Sequence, residues 1–194
     1  MPTARPNISE RQAGALGILA LVAACGVLSM PAEVQTVAQA QTPGALTPAF
    51  RRALDEAQPG WRVAPVTERI RGRHVTNAGS PEPNVLAGDF DGNGHQDRAV
   101  LLVFPTKAGA ALRSQLIVLL QMEDQIQVVR IDTPIDPDPH RFLSGRGRGE
   151  KLHDVNTNRE FVCRNQAISV DYDCCGCVTY VFESGLFQSY WTCD

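Results

Sequence analysis

The chain has 194 residues, 43% of them hydrophobic and 20% charged, and a formal net charge of −3. Those values suit a single globular domain. A slightly acidic chain offers no electrostatic footprint for nucleic acid, which is therefore excluded as a partner class.

The N-terminal region reads as an export signal. Met1 to Arg11 carries Arg5 and Arg11, Ala13 to Met30 is almost wholly apolar, and Ala38-Gln39-Ala40 is a small-x-small sequence, so residues 1–40 have the three parts of a secretory signal with cleavage after Ala40. A membrane-anchoring helix is the poorer reading, because Ala13 to Met30 barely reaches the ~18–20 residues of a span and is rich in Gly and Ala. A second export route runs through Val22-Ala23-Ala24-Cys25, which resembles a bacterial lipobox. Lipidation at Cys25 would bring a membrane into play as a partner, although the apolar run continues past it through Val27, Leu28 and Met30. Either route places the protein outside the cytoplasm: periplasmic, secreted, or lipid-anchored to the envelope. Free calcium there reaches the ~10⁻⁴–10⁻³ M range of weak extracellular calcium modules.

Residues 41–46 form a polar leader expected to be flexible, and residues 47–194 the single domain. Thr47 followed by Pro48 has the form of an N-cap with proline at the first helical position. Phe50, Leu54 and Ala57 continue it as an apolar stripe, which predicts a short helix from Pro48 to Gln58, closed by Pro59-Gly60. Trp61, Val63 and Val66 are expected to run extended. The basic cluster of Arg62, Arg69, Arg71 and Arg73 reads as a solvated loop.

The next stretch, VLAGDFDGNGHQDRAVLLVF, carries the most chemistry. It places oxygen side chains at Asp89, Asp91, Asn93 and Asp97, positions 1, 3, 5 and 9 of a loop, with Gly92 and Gly94 between them. Hard divalent cations, calcium above all, take about six to eight oxygens at about 2.3–2.6 Å, and short oxygen side chains alternating on a curled backbone supply such a shell. Asp, Asn and Gly also dominate ordinary turns, but three carboxylates in register, followed at once by a buried strand, favour the metal. An EF-hand would need a bidentate Glu at position 12 and a helix on each side. Here position 12 is Val100, and β-type apolar runs, Val85-Leu86-Ala87 and Ala99 to Phe104, flank the loop.

A calcium loop between two strands resembles the FG-GAP/VCBS motif of integrin-type propeller blades, whose pattern is close to GDFDGDGxxDhhhh. In this chain the motif runs Gly88-Asp89-Phe90-Asp91-Gly92-Asn93-Gly94-His95-Gln96-Asp97. The resemblance implies Asp89, Asp91, Asn93, His95 through its backbone carbonyl, and Asp97 as ligands, with Asn93 standing where the family often has a third Asp. It does not imply a whole propeller, because the chain carries one copy of the motif and removal of a signal leaves too little length for six or seven blades.

Downstream, Ser114 to Gln121 and Ile126 to Ile131 flank Glu123-Asp124 and read as a β-hairpin. Asp132 to His140, spaced by prolines, reads as a rigid exposed loop. Arg141 to Asn158, rich in Gly and charge, reads as a long exposed loop; its two Arg-Gly repeats lack the following helix and GK[ST] signature of a phosphate loop. Phe161 to Cys163, Ala167 to Val170, Cys177 to Phe182 and Phe187 to Trp191 are strand candidates, the last two joined by a tight turn at Glu183-Ser184-Gly185-Leu186. The terminal VTYVFESGLFQSYWTCD is similar to the last hairpin of small secreted bacterial proteins with one GDFDGDG-type motif. The fold class expected is α+β: mainly an antiparallel β meander with one short N-terminal helix.

Five cysteines follow the signal: Cys163, Cys174, Cys175, Cys177 and Cys193. Outside the cytoplasm disulfides come first. A hairpin turning near Ser184-Gly185 sets Cys177 almost opposite Cys193, leaving Cys163 to pair with Cys174 or Cys175 and one thiol over. The alternative is a thiol or metal centre at Cys174-Cys175-Gly176-Cys177, holding zinc or copper or acting in redox chemistry. His74, His95, His140 and His153 are scattered over loops with no HExxH or GxSxG near them. The functional expectation is an exported, calcium-stabilised binding or structural module with an unknown protein or cell-envelope partner, and the rival is a periplasmic thiol- or metal-dependent enzyme or redox protein using Cys174 to Cys177.

Overall fold

The computed structural model describes residues 46–78, 82–106, 111–174 and 176–193, all within the unit that runs from Ala40 to Asp194. The proposed signal, Cys25 and residues 41–45 of the leader lie outside the described residues, as does Cys175. Leu46, placed in the leader from sequence, is a correction: it is buried with Phe50 and Leu54, so the core begins before the first helix.

Helix α1 (Pro48–Ala57) starts as its cap predicts, with the Phe50 N–H donating to Thr47 Oγ1 at 3.4 Å. Phe50 and Leu54 form its buried face. After β1 (Arg62–Val63), the arginines at 69, 71 and 73 lie on a second helix, α2 (Glu68–Ala78), and not in a loop. Ile70 is buried on it, and Arg69 and Arg73 ion-pair with the buried Asp173 carboxylate. The pairing partner lies about a hundred residues away, so no apolar stripe announced the helix.

Strands β2 (Val85–Gly88), β3 (Asp97–Pro105), β4 (Leu112–Gln121) and β5 (Ile126–Arg130) join β1 in an antiparallel five-stranded sheet in the order β1-β3-β4-β5, with β2 also pairing β3. The predicted hairpin is β4–β5, Val118 standing opposite Val129. β3 and β4 are buried on both faces, which explains their unbroken apolar runs. Val100, Leu102, Ile117 and Leu119 pack toward α1, while Leu101, Val103, Leu116 and Val118 pack toward the second sheet.

That second sheet consists of β6 (Arg141–Arg146), β9 (Ala167–Tyr172), β10 (Cys177–Glu183) and β11 (Leu186–Cys193) in the order β11-β10-β9-β6. Between β6 and β9 in sequence, β7 (Lys151–Asp154) and β8 (Arg159–Val162) pair with each other. Residues 141–158 are thus two strands and their turns, not one loop. The antiparallel strands divide into two packed sheets and a hairpin, with β6 finding β9 across the inserted hairpin. The class stands as expected, mostly antiparallel β with few helices. Leu143, Ile168 and Val170 supply the second sheet's share of the main core, and Cys163, Ala167, Val181, Leu152 and Phe161 fill a smaller cluster under the hairpin. No helix among the described residues is long and apolar enough to cross a membrane.

Cys177 and Cys193 stand opposite each other in β10 and β11 and form a disulfide, their Cα atoms 5.1 Å apart. Cys163 is not bridged, contrary to the second pairing expected: it is buried beneath the β7–β8 hairpin, where burial raises its thiol pKa.

Candidate metal centre

The DFDGNGHQ segment, residues 89–96, connects β2 to β3, whose register puts Gly88 opposite Asp97. The chain must therefore reverse over a short span while keeping its backbone donors satisfied. Gly92 and Gly94 make the reversal at φ of 80° and 86°, a region cheap only without a Cβ. Phe90 turns the other way, into the core between the sheets, where it is 1% exposed.

Each of the three predicted carboxylate ligands is fixed by backbone or amide donors. Asp89 accepts the Gly92 N–H at Oδ1 (2.9 Å) and the Gly94 N–H at Oδ2 (3.2 Å). Asp91 accepts the Asn93 N–H at Oδ1 and its amide Nδ2 at Oδ2, both at 3.0 Å. Asp97 is fully buried and accepts the Phe90 N–H at Oδ2 and the Gln121 N–H at Oδ1, both at 2.8 Å. A carboxylate oxygen carries more than one lone pair, so each of these bonds positions an oxygen without exhausting it.

The three carboxylates converge: one ligand oxygen from each of Asp89, Asp91 and Asp97 lies within 4.8 Å of the others. Among the described residues no salt bridge neutralises any of them. Arg98 is adjacent in sequence, but its Nη1 donates to the Asp97 carbonyl at 2.7 Å and its guanidinium lies over the Phe50 ring. Burial pushes the Asp97 carboxyl up to about 6, the Phe90 and Gln121 N–H groups oppose that, and the charge of Asp91 adds to it. Like charges at this spacing repel by roughly 1 kcal/mol per pair even in water, and by more where one of them is desolvated.

Asn93 and His95 sit beside this trio in a different manner. Asn93 Oδ1 accepts the His95 N–H at 2.7 Å, and its Nδ2 reaches the Gln121 carbonyl at 3.0 Å. His95 is exposed and joins the loop through its main chain. No family model matches the chain, and neither a curated protein nor a solved structure matches it. The site therefore rests on its own geometry.

The donor set is all oxygen, with no thiolate or imidazole among the converging atoms. That composition fits a hard divalent cation and argues against zinc or copper. Asp89, Asp91 and Asp97 would hold it, at a corner where β2, β3 and the end of β4 meet.

Several residues that shape this corner escaped the sequence reading. The Asp89 N–H donates to Gln166 Oε1 at 2.7 Å, and a Cβ on Gly92 would run into the Asn165 side chain. Asn165 and Gln166 come from the turn between β8 and β9. With Asp89 and Arg148, which stands in the turn between β6 and β7, they line an open cavity of about 260 Å³. Only a long-range alignment of strands brings these turns together, and local sequence carries no sign of it.

Proposed function

We propose that the chain is an exported binding or structural module, periplasmic, secreted or lipid-anchored, whose β2–β3 corner is stabilised by calcium. One observation supports this best: three carboxylates converge within 4.8 Å with no salt bridge to any of them among the described residues, Arg98 acting on Asp97 through its charge. Calcium would offset the repulsion among the three carboxylates and tie the loop to the end of β4. The FG-GAP resemblance adds Asn93 and the His95 carbonyl to the proposed shell. The Cys177–Cys193 disulfide is compatible with an oxidising compartment.

Bound calcium stabilises the fold by RT ln(1 + [Ca]/Kd), about 1.4 kcal/mol at tenfold excess over Kd. Melting the protein in calcium and in chelator tests the reading. The wild type is expected to melt higher in calcium, and Asp91→Ala to melt alike in both. Identical wild-type melting in calcium and chelator removes the proposal. The rival at Cys174 to Cys177 is disfavoured by the bridge from Cys177 to Cys193, which takes one thiol from the cluster. Thiol titration of the unreduced protein decides it.

A further inference from the structure

The cavity beside the loop has a composition the calcium reading does not use. Its lining residues among those described are Asp89, Arg148, Asn165 and Gln166: a carboxylate, a guanidinium and two amides. Arg148 is exposed between Gly147 and Gly149, in a turn held by the Gly149 N–H on the Cys163 carbonyl (2.7 Å) and the Gly147 N–H on Glu150 Oε2 (2.7 Å). Among the described residues its guanidinium makes no hydrogen bond or ion pair, and the same holds for the Asn165 amide. The Gln166 amide spends its oxygen on the Asp89 N–H and keeps its NH₂ for other partners. The free groups are therefore mainly donors, next to a residue that also belongs to the proposed calcium shell.

Coordination number points the same way. The loop offers at most five ligand residues, Asp89, Asp91, Asn93, His95 and Asp97, whereas calcium takes about six to eight oxygens. With each of them binding through a single oxygen, one or more places are open to an outside oxygen, and Asp89 is shared between the loop and the cavity.

We propose that this cavity binds a carboxylated sugar, such as the uronic acid unit of an acidic polysaccharide, with its carboxylate paired to Arg148, an oxygen entering the calcium shell and its hydroxyls on Asn165 and Gln166. This rests on the calcium reading. A planar guanidinium is suited to a carboxylate, and amides serve hydroxyls. A volume of about 260 Å³ is at the small end for ligand pockets and suits one sugar ring, not a longer segment.

Calorimetric titration of the full folded protein with D-galacturonate, and with uncharged D-galactose as its control, tests the proposal. In calcium, galacturonate is expected to bind at least about tenfold more tightly than galactose, and Arg148→Gln to weaken it about tenfold or more, since a charge-assisted hydrogen bond is lost. Arg148→Gln should leave the calcium-dependent rise in melting temperature intact, because Arg148 holds nothing in the fold. The sugar proposal is overturned, with the calcium reading standing, if calcium raises the melting temperature but galacturonate does not bind, or binds Arg148→Gln equally well. It is also overturned if galacturonate binds as tightly in chelator. If calcium leaves the melting temperature unchanged, the calcium reading fails first and the sugar proposal falls with it.

Discussion

At the scale of single residues, Asp97 is where the candidate site and the fold meet. Its carboxyl is fully buried, lifted to about 6 from an ordinary value of 3.8, and bonded to two backbone N–H groups. A raised folded pKa means that the native chain holds the proton more tightly than the unfolded chain. In chelator, stability contributed by the protonated form is complete below about pH 4 and is lost as pH rises to about 6, by at most about 3 kcal/mol. Calcium needs the ionised form, so its stabilisation should grow over the same window. Melting curves in chelator should fall from pH 5 to pH 7, and the gap to the calcium curves should widen. Asp97→Asn should flatten the chelator trend. The converging carboxylates were legible because alternating Asp, Asn and Gly leave a local spacing. The burial of Asp97 was not, because it depends on Gln121 at the far end of another strand.

At the scale of elements, local pattern and distant pairing divide the chain clearly. Helix α1 was readable from its Thr47 cap, Pro48 and two apolar side chains, and β3 and β4 from their length and apolarity. Leu54 is fully buried between α1 and the first sheet, so Leu54→Ala is expected to cost about 2–5 kcal/mol, measured by chemical denaturation. Helix α2 was hidden because it holds to the protein through Arg69, Arg73 and Asp173, a polar attachment that leaves no hydrophobic period. β6 was hidden for a related reason. Its alternation of Leu143 with Ser144, Gly145 and Arg146 looks like a loop until β9 is beside it, with Ser144 opposite Ser169 and its hydroxyl on Asp171 Oδ2 at 2.6 Å.

At the scale of the whole molecule, two sheets and one helix layer around a doubly buried β3–β4 pair give the fold its core, and the smaller sheet is closed at one end by a covalent link. Cys177 and Cys193 enclose a short hairpin, separated by 16 residues, for which a chain-entropy estimate gives about 3 kcal/mol. Reduction, or Cys193→Ser, should lower the denaturation midpoint by a comparable free energy and leave the calcium response in place, because the bridge lies in the other sheet. Facing hairpin positions were enough to predict this bridge. The order β11-β10-β9-β6, with a separate hairpin inserted, was not predictable, because strand order follows from long-range packing that no local window contains.

Phe90 carries one more consequence. Its ring fills the space between the two sheets while its N–H reaches Asp97, so a single residue is both a core filler and a brace for the acid. Trimming that ring, as in Phe90→Leu, should therefore loosen affinity for the proposed ion as well as lower the melting point. Selection acting on how tightly this corner would grip the proposed ion would then be constrained by how well the interior is filled, and neither property would be free to drift without the other.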